Sequence, residues 1–286
     1  MENDNQPETD PRATVTAHYS RNGDMRQRIR EALPAVGGDP SVPTYDALHQ
    51  LDQFHLGGPA STRALADRVG LRNASVLDLG CGIGGPARNL AAEYGCDVTG
   101  VDLTETFCRT ARDLSAGVGL ADLTRFVRAS VHDLPFTDAG WDWVWSQHAI
   151  MNIPDTARMY AEVARVLRRG GLFVHHDIVA GSRPEPRFPV PWASDPSGSF
   201  LQSPDAIRDQ MRAAGLTPVD WRDMTETALE KIREARAARA AGVPEPPGPH
   251  LVQGPEFMTM RANLARNLEE DRAAVVQGLW RKPASP

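Results

Sequence analysis

Three clusters of this chain carry side chains that could do chemistry. Ser146-Gln147-His148, followed by Met151-Asn152, ends one apolar run, His175-His176-Asp177 ends another, and Phe54-His55 closes an amphipathic stretch. Imidazole titrates close to neutral pH, so His148 is the leading candidate for a catalytic base. His55 and His176 are candidate substrate contacts. Neighbouring positions along a strand face opposite ways, so His175 and His176 cannot both look into one pocket. For the same reason His175, His176 and Asp177 do not make an expected metal site. Phe54, Met151, Trp192, Phe200 and Phe257 offer apolar surface for a substrate chamber.

A second feature binds rather than reacts. Val76-Leu77-Asp78-Leu79-Gly80-Cys81-Gly82-Ile83-Gly84-Gly85-Pro86 reads as a strand, a glycine turn and the first turn of a helix, where proline sacrifices no hydrogen bond. Glycines there allow positive φ and close approach of a ligand. Gly80, Gly82 and Gly85 fit the pattern GxGxxG, and Asp102 follows Gly82 by about 20 residues, the place of a carboxylate that takes ribose hydroxyls. Asp78, two residues before Gly80, would repel a pyrophosphate. It suits a nucleoside ligand with an ammonium group and no phosphate, and S-adenosylmethionine is such a ligand.

The elements that hold these residues follow from periodicity. Residues 1–12 read as a disordered tail and 13–70 as a helical cap, with helices at 14–33, 45–54 and 61–69, the last capped by Ser61. Strands at 75–79, 97–101, 125–129, 141–145 and 172–178 alternate with helices at 86–94, 104–116 and 156–167, which calls for a largely parallel α/β sheet. Two proline-rich stretches, 181–204 and 242–255, interrupt the second half around helices at 205–214, 225–240 and 256–269, and a last strand is expected at 273–280. Segments near 181–204 and 225–270 read as lids over the domain 71–286.

The 286 residues include 41% hydrophobic ones, enough for a real core, and the net charge of −6 speaks against a nucleic-acid partner. Cys81, Cys96 and Cys108 form no CxxC pair, no apolar run approaches bilayer length, and the polar start MENDNQPETD is no signal peptide. The expectation is a cytoplasmic protein without metal or membrane, acting on a small molecule, with a homodimer left open.

The strings VLDLGCGIGG, VTGVDLT, HDLPF and ARVLRRGGLFV resemble the class I S-adenosylmethionine-dependent methyltransferases over residues 75 to 178. DQFHLGG, MNIPD and FPVPWA are similar to a small-molecule branch that includes sarcosine and dimethylglycine N-methyltransferases and antibiotic-tailoring methyltransferases. The resemblance implies a Rossmann-like seven-stranded sheet with helices on both faces and an antiparallel last strand. It implies that Gly80 and Gly82 line the methionine part, that Asp102 holds the ribose, and that Leu103 lies beside the adenine. Ser130, aligned on Leu134-Pro135-Phe136, takes the place of a family aspartate at the adenine amino group, with Val131 next to it. Asp133 reads as a turn residue before Pro135. Gln147 is placed near the cofactor and Tyr19 over its methionine end. The implied reaction is methyl transfer in secondary metabolism to nitrogen first, then oxygen or carbon. A cyclase that binds S-adenosylmethionine without transferring methyl, and a nicotinamide-dependent oxidoreductase, stay open as alternatives.

Overall fold

The computed structural model describes residues 11–20, 24–183 and 185–284. Of the expected tail, residues 1–10 lie outside the described residues, but Pro11 and Arg12 already belong to a helix, α1 (Pro11–Ser20). The single helix expected at 14–33 is two, because Asp24 starts α2 (Met25–Ala32) by accepting from the amides of Arg26 and Gln27. Pro34 does not end the helical run. It sits in the first turn of a 3-10 segment, Leu33–Val36, where its missing donor costs nothing, and Gly37 at φ 75 stops the chain.

The next expected helix shrinks to α3 (Tyr45–Leu48), capped by Thr44. Beyond it Leu51 enters the core and Asp52 turns toward an arginine, so the chain leaves the helix. Helix α4 (Gly58–Val69) starts three residues earlier than expected. Gly57, at φ 81, is its cap, and Ser61 lies inside the helix with its hydroxyl donating to the Gly58 carbonyl.

The sheet follows the alternation of the sequence: β1 (Ser75–Leu79), α5 (Gly85–Tyr94), β2 (Asp97–Asp102), α6 (Glu105–Gly117), β3 (Thr124–Arg128), β4 (Trp141–Gln147), α7 (Thr156–Val166) and β5 (Leu167–Ala180). Then come α8 (Pro204–Ala213), β6 (Thr217–Asp223), α9 (Thr225–Ala240), α10 (Phe257–Glu269) and β7 (Ala273–Arg281). The strand order is β3-β2-β1-β4-β5-β7-β6. β1 to β5 pair in parallel, and β7 runs antiparallel between β5 and β6. The antiparallel final strand is thus present, and β6 is an addition. It escapes pattern reading because it is an edge strand, largely exposed, with Pro218 at a shift of register.

Alternation along β1 sends Leu77 and Leu79 to a core shared with Met159, Val163 and Trp280, and Val76 to a core shared with Leu65, Leu90 and Trp145. Helices therefore cover both faces. A third core joins the N-terminal helices to the sheet: Ile29, Leu33, Leu48 and Leu51 pack against Ile83, Phe107 and Leu114. A fourth fastens the lid segments, with Trp192, Leu229 and Leu264 against Met151 and Ile178.

Between cap and sheet lies a fully buried ion pair. Arg88 on α5 donates from Nη2 to Asp52 Oδ2 at 2.7 Å and from the same nitrogen to the Ile83 carbonyl at 2.7 Å. Its Nη1 reaches the Ala111 carbonyl and the Ser115 hydroxyl on α6. Removing one partner strands the other charge in the interior, at a cost of about 3–5 kcal/mol. Arg88→Leu is therefore expected to lower the unfolding free energy by about that amount in urea titrations. A loss near zero would show that Asp52 is not a buried, uncompensated charge in the variant.

Candidate active site

The turn after β1 explains its glycines separately. Gly80, at φ 72, donates to the Val101 carbonyl, and a Cβ on it would stand 2.3 Å from that of Ala149. Gly82, at φ 55, faces open space, with nothing within 4 Å of where its Cβ would be. Gly85 has a different reason from the one its pattern suggests: a Cβ there would lie 2.3 Å from the Asp52 carbonyl oxygen, so it admits the cap backbone and not a ligand.

Asp102 closes the turn from the end of β2. One carboxylate oxygen accepts from the Gly82 amide at 3.0 Å and the other from the Thr104 amide at 2.8 Å. Each oxygen keeps room for a further donor. Burial pushes this carboxyl up, while the two amides pull it back.

A cavity of about 680 Å³ opens above the carboxyl ends of the strands, where open α/β sheets bind ligands. On the side toward β1 to β3 its wall includes Tyr19, Gly80, Gly82, Asp102, Leu103, Ser130 and Val131, and toward β4 it includes Gln147 and His148. Phe54, His55, Met151, Trp192 and Phe257 line the remainder. These candidates, scattered along the sequence, share one space.

Three do not reach it. Asp78 lies inside β1, two residues and so roughly 7 Å below Gly80, paired in register with Gly100 and Trp145. Its Oδ2 has no partner, and burial with the nearby Asp102 raises its carboxyl to about 7. His176 packs edge-on against the His148 ring at 4.9 Å and is absent from the wall. Phe200 contributes its amide, which donates to the Met151 carbonyl, and no wall.

Residues the sequence reading missed form much of the roof. Gln53 and Phe107 line the cavity, as does the proline-rich connection after α9 through Glu245, Pro246 and His250. The proline run was visible as a lid, but its contact with the cleft is set by tertiary packing. Asn152, named in the sequence only as a neighbour of Met151, also lines the cavity: its amide donates to the Trp192 and Gly198 carbonyls while its oxygen accepts from the Tyr19 hydroxyl, joining three distant segments.

Ser130 is already engaged, since its hydroxyl accepts from the His132 amide across a short turn. Gln147 is oriented by its neighbours: Trp145 Nε1 and the Thr62 hydroxyl both donate to Oε1, which leaves Nε2 without a partner in the wall. His55 Nε2 lies 3.0 Å from the Gly58 carbonyl and 3.1 Å from the Thr62 hydroxyl.

The histidines differ from the expectation in charge. Burial drives His55 down to about 4 and His176 to about 3, and pushes His148 well below its usual range. His148 is therefore a neutral imidazole, with Nε2 unpartnered and backbone φ of 53. His175 faces away, stacked on Phe173, as alternation required. Among the described residues no group of histidines, cysteines and acids could hold a metal ion. No helix there is long and apolar enough to cross a membrane.

Residues 77–175 match a family model described as a methyltransferase domain. A sarcosine/dimethylglycine N-methyltransferase of Halorhodospira halochloris is 33% identical over 150 residues, covering 52% of this chain and 54% of that protein. The methyltransferase GfsG of Streptomyces halstedii is 35% identical over 169 residues, 58% of this chain and 61% of that protein. The chain thus spans little more than half the length of these curated relatives. The crystal structure of the cyclase SpnF superimposes with a TM-score of 0.60 at 23% identity, over 79% of this chain and 82% of that one, which is a likeness of fold. The resemblance to class I S-adenosylmethionine-dependent methyltransferases is borne out, as is the Rossmann-like sheet.

The turn that carries His148 has a support that can be tested. Asp177 Oδ1 accepts from the consecutive amides of Ala149 and Ile150, each at 2.9 Å, and the His148 amide donates to the His176 carbonyl at 2.8 Å. Burial favours the neutral form of Asp177, which asparagine imitates. Asp177→Ala should destabilise the fold by at least about 2 kcal/mol, through two unsatisfied amides, and Asp177→Asn should recover most of it in urea unfolding. Equal losses in both variants would contradict support by an acceptor oxygen.

Proposed function

We propose that this chain transfers the methyl group of S-adenosylmethionine to a small molecule, with nitrogen the first choice of acceptor and oxygen and carbon next. The observation that carries the reading is the meeting of the Gly82 amide and the Asp102 carboxylate on the floor of a cavity that continues into an apolar chamber. The residues present fit such a cofactor. The space in front of Gly82 is open, Asp102 has acceptor capacity left for two hydroxyls, and Leu103, Ser130 and Val131 stand beside it for a base. Gly80 and Gly82 would border the methionine part, with Tyr19, anchored on Asn152, covering it. Asp78 would act from below the cleft, by its charge and not by contact.

When bound, the cofactor supplies a methyl group on a positively charged sulfur, open to in-line attack. The chain's own contribution is position and dryness, which can account for roughly 7–11 kcal/mol of a barrier. Phe54, Met151 and Trp192 exclude water, and Gln147 Nε2 offers one hydrogen bond to fix an acceptor. An acceptor hydroxyl must also lose its proton, and His148 Nε2, neutral and unpartnered, can take it. The matched methyltransferase domain supports this reading, as do the relatives named as methyltransferases.

The likeness of fold to a cyclase keeps a second reading in view, in which the cofactor is bound but its methyl stays in place. Labelled S-adenosylmethionine decides: transfer of label to an acceptor during a product-mass screen supports the first reading, and turnover with the label retained supports the second. Calorimetry with S-adenosylhomocysteine should show binding and titration with a nicotinamide dinucleotide none. The reverse result would remove both readings.

Two further outcomes follow. Asp102→Ala should weaken S-adenosylhomocysteine binding at least about tenfold, since it removes a charged acceptor of hydrogen bonds. Unchanged affinity would refute the ribose assignment. His148 is already neutral at pH 6.5, so lowering the pH from 8 to 6 should leave its share of activity intact, and loss should appear only at more acid pH. A decline centred near 6.5 that vanishes in His148→Ala would contradict the buried, neutral imidazole.

A further inference from the structure

Resting on the methyltransferase reading, we infer that the acceptor is an uncharged, largely apolar molecule presenting one polar nucleophile, and not an amino acid or a phosphate ester. The charges of the cavity wall carry this. Among the described residues its cations other than histidine are Arg12, Arg239 and Arg261, and it has no lysine. Arg239 and Arg261 both donate to the carboxylate of Glu245, and Arg12 also has a partner. All three are on α1 or around the α9 to α10 connection and are solvent-exposed or partly so.

The buried wall atoms that lack a partner are Gln53 Oε1, His132 Nε2, Gln147 Nε2 and His148 Nε2. They belong to amides and imidazoles. Burial keeps His55 and His148 uncharged, so neither can answer an anion at neutral pH. Asp52, the remaining acid near Gln53, is committed to Arg88. A carboxylate or phosphate carried beside His148 would thus be buried without a counter-charge, which costs several kcal/mol per ion. An alcohol or neutral amine, by contrast, finds two hydrogen-bonding atoms and the apolar faces of Phe54, Met151, Trp192 and Leu264. The zwitterions in the name of the Halorhodospira relative carry a carboxylate that this chamber does not match.

Matched probes test it. The full chain is first saturated with S-adenosylhomocysteine in a calorimeter, then titrated with 1-decanol, decanoate or dimethylglycine. The expected result is binding of decanol at least tenfold tighter than decanoate, with no heat from dimethylglycine. Phe54→Arg and Phe257→Arg, each placing a cation in the chamber, should reverse the order of the two decyl probes, and their retained binding of S-adenosylhomocysteine reports that they fold. Decanoate or dimethylglycine binding as tightly as decanol would overturn the inference, as would failure of decanol to bind at its solubility limit. An order unchanged in both arginine variants would place the apolar site elsewhere and overturn it too. Failure of S-adenosylhomocysteine to bind the unaltered chain is a separate outcome that strikes the methyltransferase reading itself.

Discussion

The Arg88 guanidinium is the constraint on which the cleft depends. Five hydrogen bonds to three segments converge on it: two to the Asp52 carboxylate of the cap, one to the Ile83 carbonyl of the glycine turn, and one each to a carbonyl and a hydroxyl of α6. A buried ion pair is rarely a net source of stability, because the loss of hydration offsets most of the attraction. Its effect is on position, since cap, glycine turn and α6 must all be in place for the guanidinium donors to be satisfied as they are. The pair therefore fixes where residues 50 to 59 pass over the cleft. It also explains Gly85, whose lack of a side chain lets the Asp52 backbone settle directly on the start of α5. The cap is thereby part of the cavity wall and not an appendage.

The same reasoning separates what the sequence could tell from what it could not. Period-two and period-3.6 patterns belong to single elements, so the five parallel strands and their helices were legible from residues 75 to 178. β7 was also legible, since its burial is nearly continuous. β6 was not, because it pairs only through β7 and shows water most of its side chains. The N-terminal helices were misjudged in length and Ser61 in role, since a cap on α2 at Asp24 and the demand of Arg88 for Asp52 are facts of packing.

The cleft shows the same division. Gly82 and Asp102, at fixed spacing around one turn, could be read together, and the structure brings them into direct hydrogen-bond contact. Asp78 was placed correctly within β1, but the cavity wall does not include it, and which strand residues a cavity reaches depends on the packing around the strand and not on its bounds. Alternation separated His175 from His176 correctly. It could not say that His176 would stand behind His148, which follows from the register of β4 on β5, Gln147 opposite His176.

Burial also sets the electrostatics in a way that residue types alone conceal. The sequence suggests a chamber rich in titratable imidazoles, yet His55, His148 and His176 are held neutral chiefly by desolvation, with neighbouring imidazoles adding to it at His148 and His176. Desolvation acts oppositely on the acids, raising Asp78 to about 7 and Asp102 above its usual value. For the fold, these shifts oppose each other with pH. The depressed histidines contribute stability that is full above 6.5 and is lost as pH falls toward 4 and 3. Asp78 contributes stability that is full below about 4 and is lost as pH rises toward 7. For a positively charged ligand on the proposed reading, both shifts work together. The buried imidazoles of His55 and His148 are neutral and do not repel it, while its own charge would draw the nearby carboxyls toward their ionised form. The cation would thus meet the Asp102 carboxyl with no charged imidazole at His55 or His148 opposing it, while an apolar acceptor beside it meets uncharged rings.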